Sequence, residues 1–212
     1  FNYNFSMLIF NADCCFYSSF KMTKFAMCYQ TVKYLLLLAT LIHVGGCSVA
    51  ALQVRSQSSA LTPAQAQHTK LGEAIAPFAQ RYPNKSGIRL LGEPKNAFAA
   101  RMLLAKAAQQ TLDIQYYIWQ KDITGTLLFE AIVDAAKRGV RVRILLDDNG
   151  ISGLDEPLAA LNRLENVEVR IFNPFAQRRF KWLGFMMDFS RVNRRMHNKS
   201  FTVDSSVTVI GG

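Results

Sequence analysis

The sequence predicts an α/β fold over residues 62–212, in which a mostly parallel β-sheet is flanked by helices. The main observation is that short strand-like runs alternate with helix-like runs, because a helix between two strands is the usual crossover between parallel neighbours. Composition is a second observation, since 50% of the 212 residues are hydrophobic and 19% are charged, which excludes a disordered tail and a polytopic membrane protein. The alternating elements are strand 112–118, helix 126–138, strand 140–146, helix 158–164 and strand 167–172.

Several elements are predicted before this alternating unit. Thr62, Pro63 and Gln65 indicate a helix start, because Thr can cap, Pro suits the first helical position and Gln completes a capping box. This helix is expected to run to about Gln80. The elements expected between it and the alternating unit are a turn over 82–87, a short strand over 88–91 and a helix over 96–110.

The region before residue 62 carries features of protein export. Residues 1–21 begin with Phe and are aromatic-rich without a period, so they are interpreted either as upstream read-through or as part of the protein. Lysines precede an uncharged apolar run, and small residues then lead to Cys47, so 22–46 resemble an export signal with a bacterial lipobox. Cys47 would be lipidated, and the Ser- and Ala-rich residues 47–61 would form a tether. The alternative is an uncleaved anchor over 34–54.

Both interpretations attach the body of the protein to a bacterial cell envelope, outside the cytoplasm. The charge is consistent with this, because 25 basic residues against 15 acidic ones favour anionic partners, either phospholipid or nucleic acid. The export signal favours phospholipid. The four cysteines all precede residue 48 and form no C-x-x-C pair, which excludes a zinc ribbon and a thioredoxin motif.

One motif near the end of the sequence indicates chemistry. His197 and Lys199 are followed after four residues by Asp204 and after six more by Gly211 and Gly212. Such a set of fixed positions matches by chance in roughly one chain per ten thousand. The alternative is an ordinary strand with a solvated His and Lys.

Residue spacing suggests a role for each member of this motif. His197 and Lys199 share one face of a strand, while Asn198 points away. The ammonium group disfavours an imidazolium, which leaves the imidazole nucleophilic, and it can hold a phosphate oxygen. Asp204 lies in a predicted hairpin turn over 204–206, where it either orients an imidazole, in this lobe or in a partner lobe, or braces the turn. The two glycines would allow close approach of backbone.

This pattern resembles the phospholipase D superfamily, and most of all bacterial cardiolipin synthases and related membrane proteins. Tyr116–Trp119, Ala135–Val140 and Leu145–Asp148 add to the resemblance. It implies that one His attacks phosphorus and forms a phosphohistidine; we expect His197 to be this nucleophile, and the alternative is that it is the general acid. It also implies that a second His protonates the leaving oxygen, that an alcohol or water then releases the product, and that neither metal nor cofactor is needed.

The sequence departs from that family pattern because it contains a single H-x-K. The second motif is therefore expected from a missing C-terminal lobe or from a homodimer partner. Residues 62–212 would be a truncated N-terminal catalytic lobe, inactive alone unless it dimerises.

Other charged residues are weaker candidates. Asp147 and Asp148 end a strand and are interpreted as a turn and helix cap, a polar wall of the site, or a metal site; Asp122 and Gly125 follow strand 112–118 similarly. Arg194 and Arg195 either hold a lipid phosphate or form a solvated edge. The basic, aromatic and Met-rich stretch around 178–195 is interpreted as a helix at an anionic bilayer or a loop packed on the missing lobe.

Three functions are consistent with these observations. The first is a phosphatidyltransferase of cardiolipin synthase type, with phosphatidylglycerol as the expected lipid. The second is a phospholipase D-type hydrolase or nuclease that uses water as acceptor. The third is an inactive lipid-binding lipoprotein fragment.

Overall fold

The computed structural model describes residues 29–38, 57–178 and 180–211, which belong to two compact units, Phe1–Leu52 and Gln53–Gly212. In the first unit, residues 29–38 form helix α1, whose leucines are largely exposed. Among the described residues, no helix has both the length and the apolar character to cross a bilayer. Cys47, the segment 1–21, the rest of the proposed export signal and Gly212 lie outside the described residues.

The second unit contains a five-stranded sheet with the order β3-β2-β1-β4-β5. The pairs β1–β2 and β2–β3 are parallel, as predicted, whereas β1–β4 and β4–β5 are antiparallel. The predicted α/β class is thus confirmed, and the parallel pairing is confined to three strands. The strands are β1 (Thr111–Ile118), β2 (Arg141–Gly150), β3 (Val167–Phe172), β4 (Ser200–Val203) and β5 (Val207–Ile210).

The helices of this unit mostly follow the predicted pattern. The predicted helices 96–110, 126–138 and 158–164 correspond to α4, α5 and α6, with ends shifted by a few residues. The helices are α2 (Pro63–Gln67), α3 (Lys70–Arg81), α4 (Pro94–Ala107), α5 (Ile123–Lys137), α6 (Asp155–Leu161), α7 (Lys181–Met187) and α8 (Phe189–Val192).

Two predictions before β1 are wrong. The capping box of Thr62 and Gln65 is present, but the helix ends at Gln67, because the Thr69 hydroxyl accepts a hydrogen bond from Gly72 N–H and caps a new helix. Residues 88–91 form no strand, and the side chains of Ile88 and Leu90 are exposed. The alternation of apolar and polar residues over 88–91 therefore does not correspond to a half-buried strand.

The hydrophobic core lies against one face of β1 and β2, and polar side chains lie on the other face. Alternate residues of β1 and β2 are buried together with residues of α4 and α5: Ala105, Leu112, Ile114, Ile132, Val142, Ile144 and Leu146. The opposite face of β1 carries the half-buried side chains of Asp113, Gln115 and Tyr117. On this face Arg143 pairs with Asp113 and also donates to the carbonyl and hydroxyl oxygens of Ser58, at 3.1 and 3.2 Å. The end of the predicted tether thus contacts the sheet.

Candidate functional site

The motif residues His197 and Lys199 lie just before β4, which pairs with β1 from Gln115↔Ser200 onward. The side chain of His197 is exposed, and its ring lies 4.2 Å from the ring of Tyr117, centroid to centroid, with an interplanar angle of 67°. The Lys199 Nζ lies 5.8 Å from the centroid of the same Tyr117 ring and donates a hydrogen bond to the carbonyl of His197 at 3.2 Å. The structure therefore brings the imidazole and the ammonium group together on one aromatic ring, in an edge-to-face and a cation–π contact.

Tyr117 was not singled out by sequence reasoning. It lies beside Tyr116, which is buried in the core, and the alternation of side chains along β1 places Tyr117 on the opposite face of the sheet. Asn198 lies between His197 and Lys199 and donates a hydrogen bond from Nδ2 to Gln115 Oε1 at 2.9 Å. Its amide is thus held by the sheet.

Asp147 connects the end of β2 to the segment before His197. Its carboxylate is fully buried and accepts hydrogen bonds from Met196 N–H at 2.8 Å and from Arg195 Nη1 at 3.0 Å. It also accepts from Asn149 N–H at 2.8 Å, a local turn bond. The side chain therefore fixes the backbone next to the candidate nucleophile.

Asp148 fixes the start of the basic stretch, from Phe175 to Lys181, in a similar way. Its buried carboxylate accepts from Phe175 N–H at 2.7 Å and from Nε and Nη2 of Arg178 at 2.9 and 2.8 Å. The Lys181 ammonium lies 3.9 Å from the same carboxylate and also donates to the Asp148 backbone carbonyl. Adjacent carboxylates thus anchor two parts of one loop.

A β-bulge explains how both carboxylates are buried. The register runs from Tyr116↔Leu146 to Ile118↔Gly150, so β2 advances four residues while β1 advances two. The extra residues interrupt the alternation of inward and outward side chains. Neither carboxylate caps a helix, and the described residues contain no group of three or more His, Cys, Asp or Glu that could hold a metal.

The two arginines predicted to bind phosphate differ. Arg195 is enclosed, with 8% of its side chain exposed, and it pairs with Asp147 and with the carbonyls of Val192 and Asn173. The interpretation of Arg195 as an open phosphate ligand is therefore corrected, because its guanidinium is committed to the protein. Arg194 is exposed.

Asp204 occupies the predicted hairpin turn, where it and Ser205 have positive φ values of 50° and 49°. Its buried carboxylate accepts hydrogen bonds from the backbone N–H groups of Gln109, Gln110 and Thr111, at 2.8–3.1 Å. The residue lies at the opposite end of β4 from His197. This geometry favours the brace over the imidazole-orienting role.

Gly211 lies against the neighbouring backbone, and its predicted contact with substrate stays a proposal. A Cβ added there would meet nothing within 4 Å, but its φ of +91° favours glycine. Its N–H donates to the carbonyl of Lys199 at 2.9 Å, and its own carbonyl accepts from the guanidinium of Arg101. Arg101 is buried on α4, and sequence reasoning did not identify it.

Asp122 caps helix α5. Its carboxylate accepts hydrogen bonds from Gly125 N–H at 2.7 Å and from the Thr124 hydroxyl at 2.9 Å. These bonds hold the pKa of Asp122 below its ordinary value, because they favour the ionised form. Asp122 and Gly125, which were candidates for a site role, therefore have a structural role in capping α5.

Comparison with known proteins agrees with the motif. Residues 102–212 match the family model described as cardiolipin synthase, PLD-like domain. The chain is 54% identical over 143 residues to cardiolipin synthase C of Escherichia coli, covering 68% of this chain and 30% of that protein. It is 28% identical over 145 residues to cardiolipin synthase of Oceanobacillus iheyensis, covering 68% and 27%. The chain thus spans less than a third of the length of these curated relatives.

Among solved structures, one similar chain is Nuc, a phospholipase D family member from Salmonella typhimurium. The identity is 22%, the TM-score is 0.32, and the match covers 50% of this chain and 56% of that chain.

Proposed function

Because the chain belongs to the family of cardiolipin synthase PLD-like domains, we propose that it forms one lobe of a phosphatidyltransferase of cardiolipin synthase type. The observation that carries this proposal is the arrangement of His197 and Lys199 on the ring of Tyr117. An exposed imidazole can reach a phosphodiester, and the adjacent ammonium group can bind its oxygens.

In the proposed reaction, a ring nitrogen of His197 attacks the phosphorus of a phospholipid phosphodiester. A P–N bond forms, the P–O bond to the leaving alcohol breaks, and Lys199 stabilises the charge that builds on the phosphoryl oxygens. A second histidine gives the leaving oxygen its proton and then takes a proton from the acceptor hydroxyl. That hydroxyl attacks phosphorus, and the P–N bond breaks, which restores His197.

The second histidine would come from a further copy of the motif. Since the chain has one H-x-K, the copy is expected from another lobe of the protein or from a homodimer partner. Asp204 and Gly211 would support the site from a distance, the first by bracing the hairpin and the second through Lys199. Arg194, Asn198, Gly211 and Gly212 stay proposed as substrate contacts.

The proposed substrates are anionic phospholipids, with phosphatidylglycerol as the acceptor. The sequence resemblance of residues 22–46 to an export signal with a lipobox at Cys47 supports attachment of the protein to the bacterial cell envelope. Attachment would place the site within reach of substrates that do not leave the membrane.

The proposal is tested by expressing the full-length protein in bacteria that lack their own cardiolipin synthases and measuring lipids by mass spectrometry. Cardiolipin should accumulate with the wild type and should be absent with His197→Ala. The control is His68→Ala, which changes an exposed histidine at the C-terminal end of α2 and should leave cardiolipin at the wild-type amount. Phosphatidate as the sole product would instead favour the hydrolase. Equal cardiolipin from wild type and His197→Ala would rule out the proposed nucleophile.

A further inference from the structure

Helix α7 and the start of α8 expose large apolar side chains that do not take part in holding α7 on the protein. Trp182, Met186 and Met187 are 59%, 76% and 79% exposed, and Phe189, at the start of α8, is 60% exposed. No residue of α7 is buried. Exposed apolar side chains are common singly, but four of them within the eight residues from 182 to 189 indicate an interaction surface.

The helix is nevertheless fixed to the body of the protein. On its inner side the Phe185 ring packs 5.3 Å from the buried ring of Phe175, centroid to centroid. A Cβ at Gly184 would lie 2.8 Å from a ring carbon of Phe175, so glycine is needed for this approach. Lys181, at the first residue of the helix, is held by Asp148. One face of α7 therefore packs on the protein, and the opposite face stays exposed although the helix is held in place.

The segment that carries this exposed face is basic. Trp182 and Met186 are four residues apart and share one side of the helix. Seven basic residues lie between 178 and 199, and the four carboxylates of Asp147, Asp148, Asp155 and Asp188 leave them an excess of three positive charges. Arg194 is exposed and extends this basic surround.

This combination suits a bilayer surface better than a protein partner. Trp and Met enter the boundary between head groups and acyl chains, and basic residues at its rim attract anionic lipid. Most of the basic side chains are already paired within the protein, so apolar insertion is the larger contribution and salt should weaken binding only moderately.

We propose that Trp182, Met186, Met187 and Phe189 form a membrane-docking surface that inserts into the interface of a bilayer containing anionic phospholipid. This inference rests on the proposed function in that it supplies the lipid substrate. The docking surface is connected to the site through adjacent side chains, since Asp148 holds α7 and Asp147 holds the residue before His197.

The test uses the full-length protein without residues 1–47, which removes the predicted signal and the lipidation site so that they cannot bind vesicles themselves; Gln53–Gly212 form a separate compact unit. Binding to vesicles of phosphatidylcholine with or without phosphatidylglycerol is measured in a sedimentation assay. Wild type should bind the anionic vesicles, and Trp182→Ser/Met186→Ser should bind them about tenfold more weakly, because apolar insertion drives binding. Phe78→Ser/Leu103→Ser is the matched control, since both residues are similarly exposed, at 68% and 66%, on other helices, and it should bind like the wild type.

Turnover of a water-soluble phosphodiester separates docking from chemistry. The docking variant should keep the wild-type rate with this substrate within about twofold, because the surface does not include the reacting groups. Equal vesicle binding by wild type and variant would overturn the docking surface and leave the proposed function standing. Poor access of acrylamide to Trp182 without vesicles would also overturn it, because another part of the protein or a second copy would then cover the patch. Both proposals would be supported if His197→Ala lost turnover but kept vesicle binding, while the docking variant lost vesicle binding but kept turnover.

Discussion

The Asp147 carboxylate accepts a hydrogen bond from the backbone N–H of Met196 at 2.8 Å, so a side chain at the end of β2 sets the backbone position directly before His197. The two residues are 49 positions apart in the sequence. The same carboxylate pairs with Arg195, and the pair is almost completely enclosed. The position of the candidate nucleophile therefore depends on a buried charge pair rather than on β4 alone.

Replacing Asp147 with Asn should destabilise the protein strongly. The change leaves the enclosed guanidinium of Arg195 without its counter-charge, which should lower the free energy of unfolding by about 3 kcal/mol. Urea denaturation of the single variants Asp147→Asn and Arg195→Met, and of the double variant, measures this effect. The double variant should lose less than the sum of the single losses; additive losses would show that the two side chains do not interact.

Replacing Tyr117 with Leu should slow turnover while leaving the fold intact. The ring contacts the imidazole of His197 and the ammonium group of Lys199, so its loss frees both groups from their alignment and should lower kcat about tenfold. Tyr117→Phe is the matched control and should keep most of the rate, because the ring makes both contacts. An equal loss in both variants would point to the hydroxyl instead.

Asp204→Asn tests the two roles that the sequence leaves open. Loss of a charged acceptor for three backbone N–H groups should lower the free energy of unfolding by about 2 kcal/mol. At a temperature where the variant is folded, kcat should equal that of the wild type. A large fall in kcat with unchanged stability would instead show that Asp204 orients an imidazole.

Asp122→Ala should lower the melting temperature at pH 7 without changing kcat, because the carboxylate caps α5. The pKa of Asp122 in the folded state lies below the ordinary value of 3.8, so its stabilisation is complete above that pH and is lost as the pH falls through the folded pKa. Melting curves of wild type and variant should therefore converge in strong acid. A difference that persists unchanged there would contradict a role for the ionised cap.

Local signals made much of the fold predictable. Thr62 and Gln65 form the two hydrogen bonds of a capping box within one helical turn. The hairpin turn at Asp204 and Ser205 requires only residues that tolerate positive φ. The strands of the alternating unit were equally clear because their apolar residues face a core formed by neighbouring elements. The break at Thr69 was missed, because a Thr inside an Ala- and Gln-rich run is compatible with one continuous helix as well as with a new cap.

The site was predictable only in part, because several of its residues act over long distances in the sequence. His197 and Lys199 were found from their spacing, but the ring that they share belongs to β1. An arginine in a basic stretch is usually a solvated cation, so the sequence alone does not show that Arg195 is enclosed. Its partner Asp147 lies on β2, 48 positions away in the sequence. The bulge that buries Asp147 and Asp148 together also breaks the period on which strand prediction depends.

The bulge also constrains the number of residues in the last part of β2. Two neighbouring side chains point inward there: Asp147 toward the segment before His197, and Asp148 toward Phe175 and Lys181, the first residue of α7. Inserting or deleting one residue between Leu146 and Asn149 would turn one of them outward and release half of the loop from 173 to 196. This short polar stretch looks like a connection that could vary freely in length, yet it should tolerate substitution of Asn149 far better than any change in the number of its residues.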